Sequence, residues 1–498
     1  MEDFSTLIGH GSDSSEFPLS PIHPVFRQGV LTPRDYQLRC VDSIYDAWNE
    51  HNSVLAVLAT GMGKTIVAAE VALRWPDELG KVLFLAHREE LIDQAREKIG
   101  LHTGELPDVE MGQRYATLDS GLVADSRVVV GSVQTLVKPK RRARFKPEDF
   151  GLVVIDEAHH AAAKSYLTIL EHFKQNPRHR VLGITATPKR HDKVGMHNVF
   201  SHCCFELDIR AGIDAGWLVG VQQKFIVVEG LDFTLIRKTA GDLNMGDLAK
   251  AVMGGNAELT PAEREDLEKQ EEMVHRFVDP TVREAQGRPT VVFCVTKEHA
   301  RKSAEIFRRH PGITAEAVTD ETPTDERKAI IGRFKGGHTQ VLCGCTVFTE
   351  GFDAPETSVV AIFRPTKSES LYRQMIGRGT RPLSGLVDRY LDPVDRREAI
   401  STSRKPSMTV LDFVGASGVH NLISSFDVLA GDSIPYDVKE AVREAITDGE
   451  TVDVDEAIAK AKADREEQDR ISEENERRLK EEEERRRREE SEAKKRAD

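Results

Sequence analysis

Two short runs bring together residue types that can do phosphate chemistry. Ala59-Thr60-Gly61-Met62-Gly63-Lys64-Thr65 offers glycines that let backbone N–H groups converge, an ammonium, and a hydroxyl beside it. That set suits a triphosphate and its cation: Thr60 to Gly63 wrap the phosphates, Lys64 reaches the β- and γ-phosphates, and Thr65 ligates Mg²⁺. The spacing follows G-x-x-x-x-G-K-[ST] except that Leu58 stands where the first glycine falls. Asp156-Glu157-Ala158-His159 then supplies two adjacent carboxylates. Asp156 is suited to hold the metal of an ATP–Mg²⁺ complex, and Glu157 to polarise an attacking water. His159 is placed to link nucleotide state to a neighbouring domain. Alone, this tetrapeptide reads as a helix cap at a strand end; its pairing with the glycine loop favours nucleotide chemistry.

The surrounding pattern explains how such residues come together. Apolar runs over 54–58, 81–86, 128–130, 152–155 and 181–184 alternate with helical patterns such as 66–73 and 88–99. Their valine, isoleucine and leucine do not alternate with polar residues, as expected of parallel strands covered on both faces. The glycine loop and the acidic pair then lie at the carboxyl edge of one sheet, where α/β proteins bind ligands. A second series, 290–293, 313–318, 341–344, 358–362 and 408–414, predicts a second such sheet.

The 498 residues are 39% hydrophobic and 31% charged, enough apolar material for real cores under an ionic surface. A net charge of -14 excludes a coat of positive potential, though not a local basic groove. No run approaches the roughly 20 apolar residues of a membrane-spanning helix. Residues 1–20 lack the basic-then-apolar order of a secretory signal, so a cytoplasmic protein without membrane contact is expected. Cys40, Cys203, Cys204, Cys294, Cys343 and Cys345 form no C-x-x-C pair. Reduced, mostly buried thiols are expected rather than a zinc site. Aromatic residues, at 6%, give no sign of a dedicated base-stacking platform.

With these runs in hand, the chain from about 30 to 415 resembles the superfamily 2 helicases, with short motifs in that family's order. Thr32-Pro33-Arg34-Asp35-Tyr36-Gln37 looks like the adenine-recognition segment, which implies that Gln37 reads the base edge with Arg34 or Tyr36 nearby. Ala86-His87-Arg88 and Gly131-Ser132-Val133-Gln134-Thr135 resemble strand-end motifs; His87, Arg88, Gln134 and Thr135 are the implied contacts to nucleic-acid phosphates. Thr185-Ala186-Thr187 matches the motif that couples hydrolysis to domain movement, making Thr185 and Thr187 coupling residues. Further on, Thr296, Thr346 and Thr349 are implied phosphate contacts, and Gly351 and Asp353 belong at the nucleotide edge. Gln374-Met375-Ile376-Gly377-Arg378-Gly379-Thr380-Arg381 resembles the family's arginine motif. It implies that Gln374, Arg378 and Arg381 act on ATP, the arginines stabilising charge on the γ-phosphate.

The resemblance implies an α/β fold of two tandem RecA-like domains with parallel sheets and a charged helical C-terminal tail. The expected division is a flexible arm at 1–29, a first domain at 30–220, a linker or small insertion at 221–280, a second domain at 281–435, and the tail at 436–498. The tail is almost entirely Glu, Arg, Lys, Ala and Asp beyond 453 and has too few apolar residues for a coiled-coil seam. It is read as a solvated helix or disordered segment that offers a surface to protein partners. The expected activity is ATP-driven movement along nucleic acid, gripped by its phosphates. DNA is the preferred track because the Asp-Glu-Ala-His box and the segments 362–366 and 370–382 look most like the XPB, UvrB and restriction-type branches. A duplex translocase or an RNA helicase would use the same ATP site. A module that binds ATP only as a switch has little use for Glu157, Arg378 and Arg381.

Overall fold

Unalternated aliphatic runs become strands buried on both faces, and they assemble into two separate sheets. The computed structural model describes residues 22–25, 27–118, 126–186, 196–228, 236–239, 242–253, 261–345, 348, 352–415, 428 and 452–453, with scattered residues of the tail between 456 and 478. The chain divides into two compact units, Met1–Gly212 and Ile213–Asp498.

In the first unit the strands are β1 (Ser53–Leu58), β2 (Lys81–Ala86), β3 (Asp108–Glu110), β4 (Val128–Ser132), β5 (Phe150–Asp156), β6 (Arg180–Thr185) and β7 (His202–Leu207). They lie in the order β3-β4-β2-β5-β6-β1-β7, with every neighbouring pair parallel. All seven positions of β5 are buried, which is why its sequence shows no alternation. One core face gathers Leu83, Val129, Val153, Ile155, Phe145, Phe150 and Phe173. Each such side chain contributes about 1.5–3 kcal/mol when fully buried. Part of the expected arm is docked here: Ile22 is buried, and the Val25 N–H donates to the Arg74 carbonyl at 2.8 Å.

The second unit contains β8 (Gly220–Val228), the small hairpin β9 (Lys238–Thr239) and β10 (Asp242–Leu243), then β11 (Thr290–Phe293), β12 (Ala315–Val318), β13 (Val341–Gly344), β14 (Val359–Ile362), β15 (Ser407–Gly415) and β16 (Val452–Asp453). Its main sheet runs β12-β13-β11-β14-β15-β8-β16, parallel except for the antiparallel pairing of β16 with β8. The segment 221–280, expected as a linker or insertion, therefore contributes structure to this unit. Its strand β8 pairs with β15 along its whole length. The helix Pro261–Ala285 buries Val274, Phe277 and Val278, and the Phe277 ring lies 5.1 Å from both Phe363 and Phe413. Aromatic packing of that kind, rather than a repeating local pattern, commits the helix to the core.

The six cysteines are free, and Cys40, Cys294, Cys343 and Cys345 are buried as expected; Cys203 is exposed and Cys204 half-buried. Among the described residues no helix is long and apolar enough to cross a membrane. Most of the tail lies outside the described residues; those described between 456 and 478 are helical and exposed.

Candidate nucleotide-phosphate site and arginine segment

Parallel strands deliver their following loops to one edge, and the order β5-β6-β1 sets the acidic pair, Thr185 and the glycine loop side by side. Gly61 and Gly63 hold φ values of +92° and +73°, left-handed backbone that glycine adopts without a Cβ penalty. A Cβ on Gly63 would also strike the Gln37 amide. Gln37 Nε2 and the Tyr36 hydroxyl donate to the Met62 carbonyl at 3.1 and 2.9 Å, while Gln37 Oε1 accepts the Arg34 N–H at 2.8 Å. Arg34 and Gln37 thus sit against the loop and fix its shape. Thr60 and Met62 are buried within it. Lys64 and Thr65 open the helix Lys64–Arg74, whose N-terminus adds positive potential for phosphate.

Lys64 Nζ lies 2.9 Å from Glu157 Oε1, with both side chains almost enclosed. Glu157 has φ 50° and ψ 53°, a left-handed conformation that a non-glycine residue holds at a cost of about 1–3 kcal/mol. Burial pushes its carboxyl pKa up, but the Lys64 ammonium and His159 outweigh burial and hold it well below the ordinary carboxylate range. Its second oxygen faces His159 Nδ1 at 3.4 Å and, among the described residues, lacks a well-aligned hydrogen-bond donor. A buried carboxylate oxygen short of a donor is the acceptor that a water molecule requires. Asp156 Oδ1 accepts the Glu157 N–H at 3.0 Å, and Asp156 is 8% exposed at the same edge. This donor set fits a Mg²⁺–triphosphate: an ammonium, a carboxylate and a helix-opening hydroxyl around a glycine loop.

His159 Nδ1 lies 3.3 Å from Thr185 Oγ1, so two of the three expected coupling residues meet. Burial lowers the His159 pKa, against the pull of Glu157. Its ring is 4.0 Å from that of His160, which is 4.8 Å from that of His87. His160 thus connects the acidic box to the strand-end residue His87, a role that a lone histidine in sequence does not signal. Gln134 Nε2 donates to the His87 carbonyl at 2.6 Å, and Arg88 precedes the helix Glu89–Thr103. Thr135 is buried, its hydroxyl accepting the Gly112 N–H at 3.1 Å.

In the second unit, Thr296 caps the helix Lys297–Phe307 by accepting the His299 N–H at 3.0 Å. Gln374 is buried on the helix Glu369–Ile376. Two groups not singled out in the sequence hold that helix down: the Tyr372 hydroxyl and Gln223 Nε2 donate to Asp412 Oδ2 at 2.6 and 2.5 Å. Arg378 is buried and donates to the Phe352 carbonyl at 2.7 Å, and Arg381 pairs with Asp353. Gly379 is required here, since a Cβ would collide with Met408 and Val360. Thr187, Thr346, Thr349 and Gly351 lie outside the described residues.

A parallel sheet with a phosphate loop after its first strand, followed by a second parallel sheet bearing the arginines, is the architecture of tandem RecA-like ATPases. Residues 30–190 match the family model of the type III restriction enzyme res subunit, and residues 269–382 match the helicase conserved C-terminal domain. The chain belongs to the superfamily 2 helicases, a family that uses ATP. It is 30% identical over 439 residues to the candidate ATP-dependent helicase IRC3 of Saccharomyces cerevisiae, an alignment covering 84% of this chain and 58% of that one. To the candidate mitochondrial ATP-dependent helicase irc3 of Schizosaccharomyces pombe it is 34% identical over 406 residues, covering 78% and 61%. The chain thus spans about three fifths of those two relatives. The DNA 3'-5' translocase XPB2 of Sulfurisphaera tokodaii is 24% identical over 389 residues, with 74% and 81% covered. Among solved structures, a fragment of a type I restriction enzyme HsdR subunit from Vibrio vulnificus shares the fold, with a TM-score of 0.55 at 23% identity over 84% of this chain and 69% of that one.

Proposed function

We propose that the chain is a motor that hydrolyses ATP with Mg²⁺ to move along DNA. The observation that carries this reading is the buried Lys64–Glu157 pair at 2.9 Å, set at a strand edge by left-handed backbone at Glu157. Phosphate oxygens are the anions that can replace the Glu157 carboxylate on Lys64. That exchange frees Glu157, which is ionised in its resting pair with Lys64, to accept a hydrogen bond from the attacking water and orient it in line with the γ-phosphorus. Thr65 and Asp156 would hold Mg²⁺, which supplies positive charge on the phosphate oxygens. Arg378 and Arg381 stabilise the charge that builds on the γ-phosphate, Gln374 lies beside them, and Arg34 and Gln37 border the base. The His159–Thr185 contact passes on the change at Glu157, and Thr187 is assigned the same coupling role.

His87, Arg88, Gln134, Thr135, Thr296, Thr346 and Thr349 are read as contacts to backbone phosphates; such contacts position the track and carry no base code. DNA is favoured by the relatives of the chain, among them proteins named as a DNA translocase and as the EcoAI type I restriction endonuclease subunit of Escherichia coli. An intracellular compartment follows from the need for ATP and DNA together. Measuring hydrolysis with single-stranded DNA, duplex DNA and RNA at fixed salt, with and without Mg²⁺, tests the reading. Mg²⁺-dependent turnover stimulated most by DNA is expected. Turnover that no nucleic acid stimulates would overturn the motor, and greater stimulation by RNA would overturn the track.

A further inference from the structure

Lys405 lies between the helix Pro393–Ser401 and β15, and its residue is 1% exposed. A lysine this enclosed is rare, because the ammonium gives up its water and must be solvated by the protein instead. Here two main-chain oxygens do so: Nζ donates to the Arg381 carbonyl at 2.6 Å and to the Pro355 carbonyl at 2.7 Å. The Lys405 backbone is itself anchored, its N–H donating to Ser403 Oγ at 3.1 Å and Ser403 Oγ donating to the Ile400 carbonyl at 2.8 Å. Burial, reinforced by the nearby Arg381 charge and opposed by Glu356, brings the Lys405 pKa down to about 7.

The two carbonyls belong to the segments that matter most in this unit. Three ties hold 352–355 to 377–381: Arg378 to the Phe352 carbonyl, Arg381 to Asp353, and Lys405 across both. The first two use the guanidinium groups that the motor reading sends to the γ-phosphate, so each opens when its arginine engages ATP. Of these three ties, the Lys405 tie is the one that needs neither guanidinium, and the two carbonyls it joins keep their places while those side chains move. We propose that Lys405 is a positioning residue for hydrolysis: by joining the Arg381 and Pro355 carbonyls it keeps the Arg381 side chain in register once it has left Asp353. This inference rests on the motor reading.

The test uses the full chain, ATP, Mg²⁺ and the DNA that stimulates best, comparing wild type, Lys405→Met, Arg381→Ala and the double variant well below each melting midpoint. Lys405→Met should lower kcat roughly ten- to a hundredfold, as expected for a misplaced reacting group. KM for ATP should move less than about threefold, because the interaction at stake is made in the transition state. In the Arg381→Ala background, Lys405→Met should cost less than about twofold more, since the group it positions is gone. Lys405→Gln, which keeps one amide donor, should fall between wild type and Lys405→Met, and it carries the comparison if Lys405→Met does not fold. Wild-type kcat in Lys405→Met, parallel losses in kcat and ATP affinity, or a loss that multiplies with Arg381→Ala would each overturn the proposal. If Arg381→Ala loses its activity while Lys405→Met turns over like wild type, this inference fails and the motor reading stands. Absence of hydrolysis by the wild-type chain would overturn both.

Discussion

Lys64 in the first unit and Arg381 in the second each pair with a carboxylate, but in different surroundings. The Lys64 and Glu157 side chains are 13% and 8% exposed, whereas those of Arg381 and Asp353 are 20% and 38% exposed. Removing one partner of a buried pair strands a charge, at a cost of about 3–5 kcal/mol. A half-exposed pair opens for about 1 kcal/mol or less because water takes over its partners. On the proposed mechanism the first unit works by exchange, one anion replacing another on Lys64, and the second by release, with a cheap side-chain tie over a main-chain frame. Both follow from where the sheet puts each residue: Glu157 directly follows a strand buried at every position, while Asp353 lies in a connection between β13 and β14.

The comparison can be broken at either end. Arg381→Ala should lower DNA-stimulated kcat by about three powers of ten while changing ATP affinity little; equal losses in both would make Arg381 a simple binding group. Glu157→Gln should cost about two to three powers of ten in turnover and leave ATP binding intact or tighter, since the amide no longer competes for Lys64. Normal hydrolysis by that variant would remove Glu157 from its proposed role. Asp412→Asn, which weakens the acceptor of Tyr372 and Gln223, should destabilise the second unit by about 1–3 kcal/mol in denaturant melts and leave the first unit unchanged.

A smaller, pH-dependent effect separates the units further. His299 is fully buried, and desolvation lowers its pKa from 6.5 to about 3. It stays neutral in the folded unit while the unfolded chain takes up a proton, so stability is intact above pH 6.5 and declines as pH falls toward 3. The loss should reach about 1 kcal/mol one pH unit below the unfolded value. His299→Phe should flatten that slope in acid melts of the second unit. An unchanged slope would assign the acid sensitivity elsewhere.

Much of this was legible in the sequence. The runs 54–58, 152–155 and 181–184 announce β1, β5 and β6 because strands covered on both faces need no alternation, and motifs that end such strands share an edge. The rest has no local signature. Phe277 joins the core from a helix whose other residues are mainly charged, so a window of sequence reads as linker. Asp412 and Lys405 are single charged residues whose importance comes from partners far along the chain. The left-handed backbone at Glu157 is invisible too, since glutamate carries no preference for it.

The strand β8 leaves the second sheet's assembly waiting on the ribosome. Its partner β15 is made much later: Gln223 and Asp412, whose side chains hydrogen-bond across that pair, are 189 positions apart. All the described strands of the first unit have been made once residue 207 has emerged, but the second cannot close around β8 until nearly the whole helicase core has been synthesised. Contacts this distant in sequence make that closure intrinsically slow and leave a nascent sheet edge bare for longest in this half of the molecule.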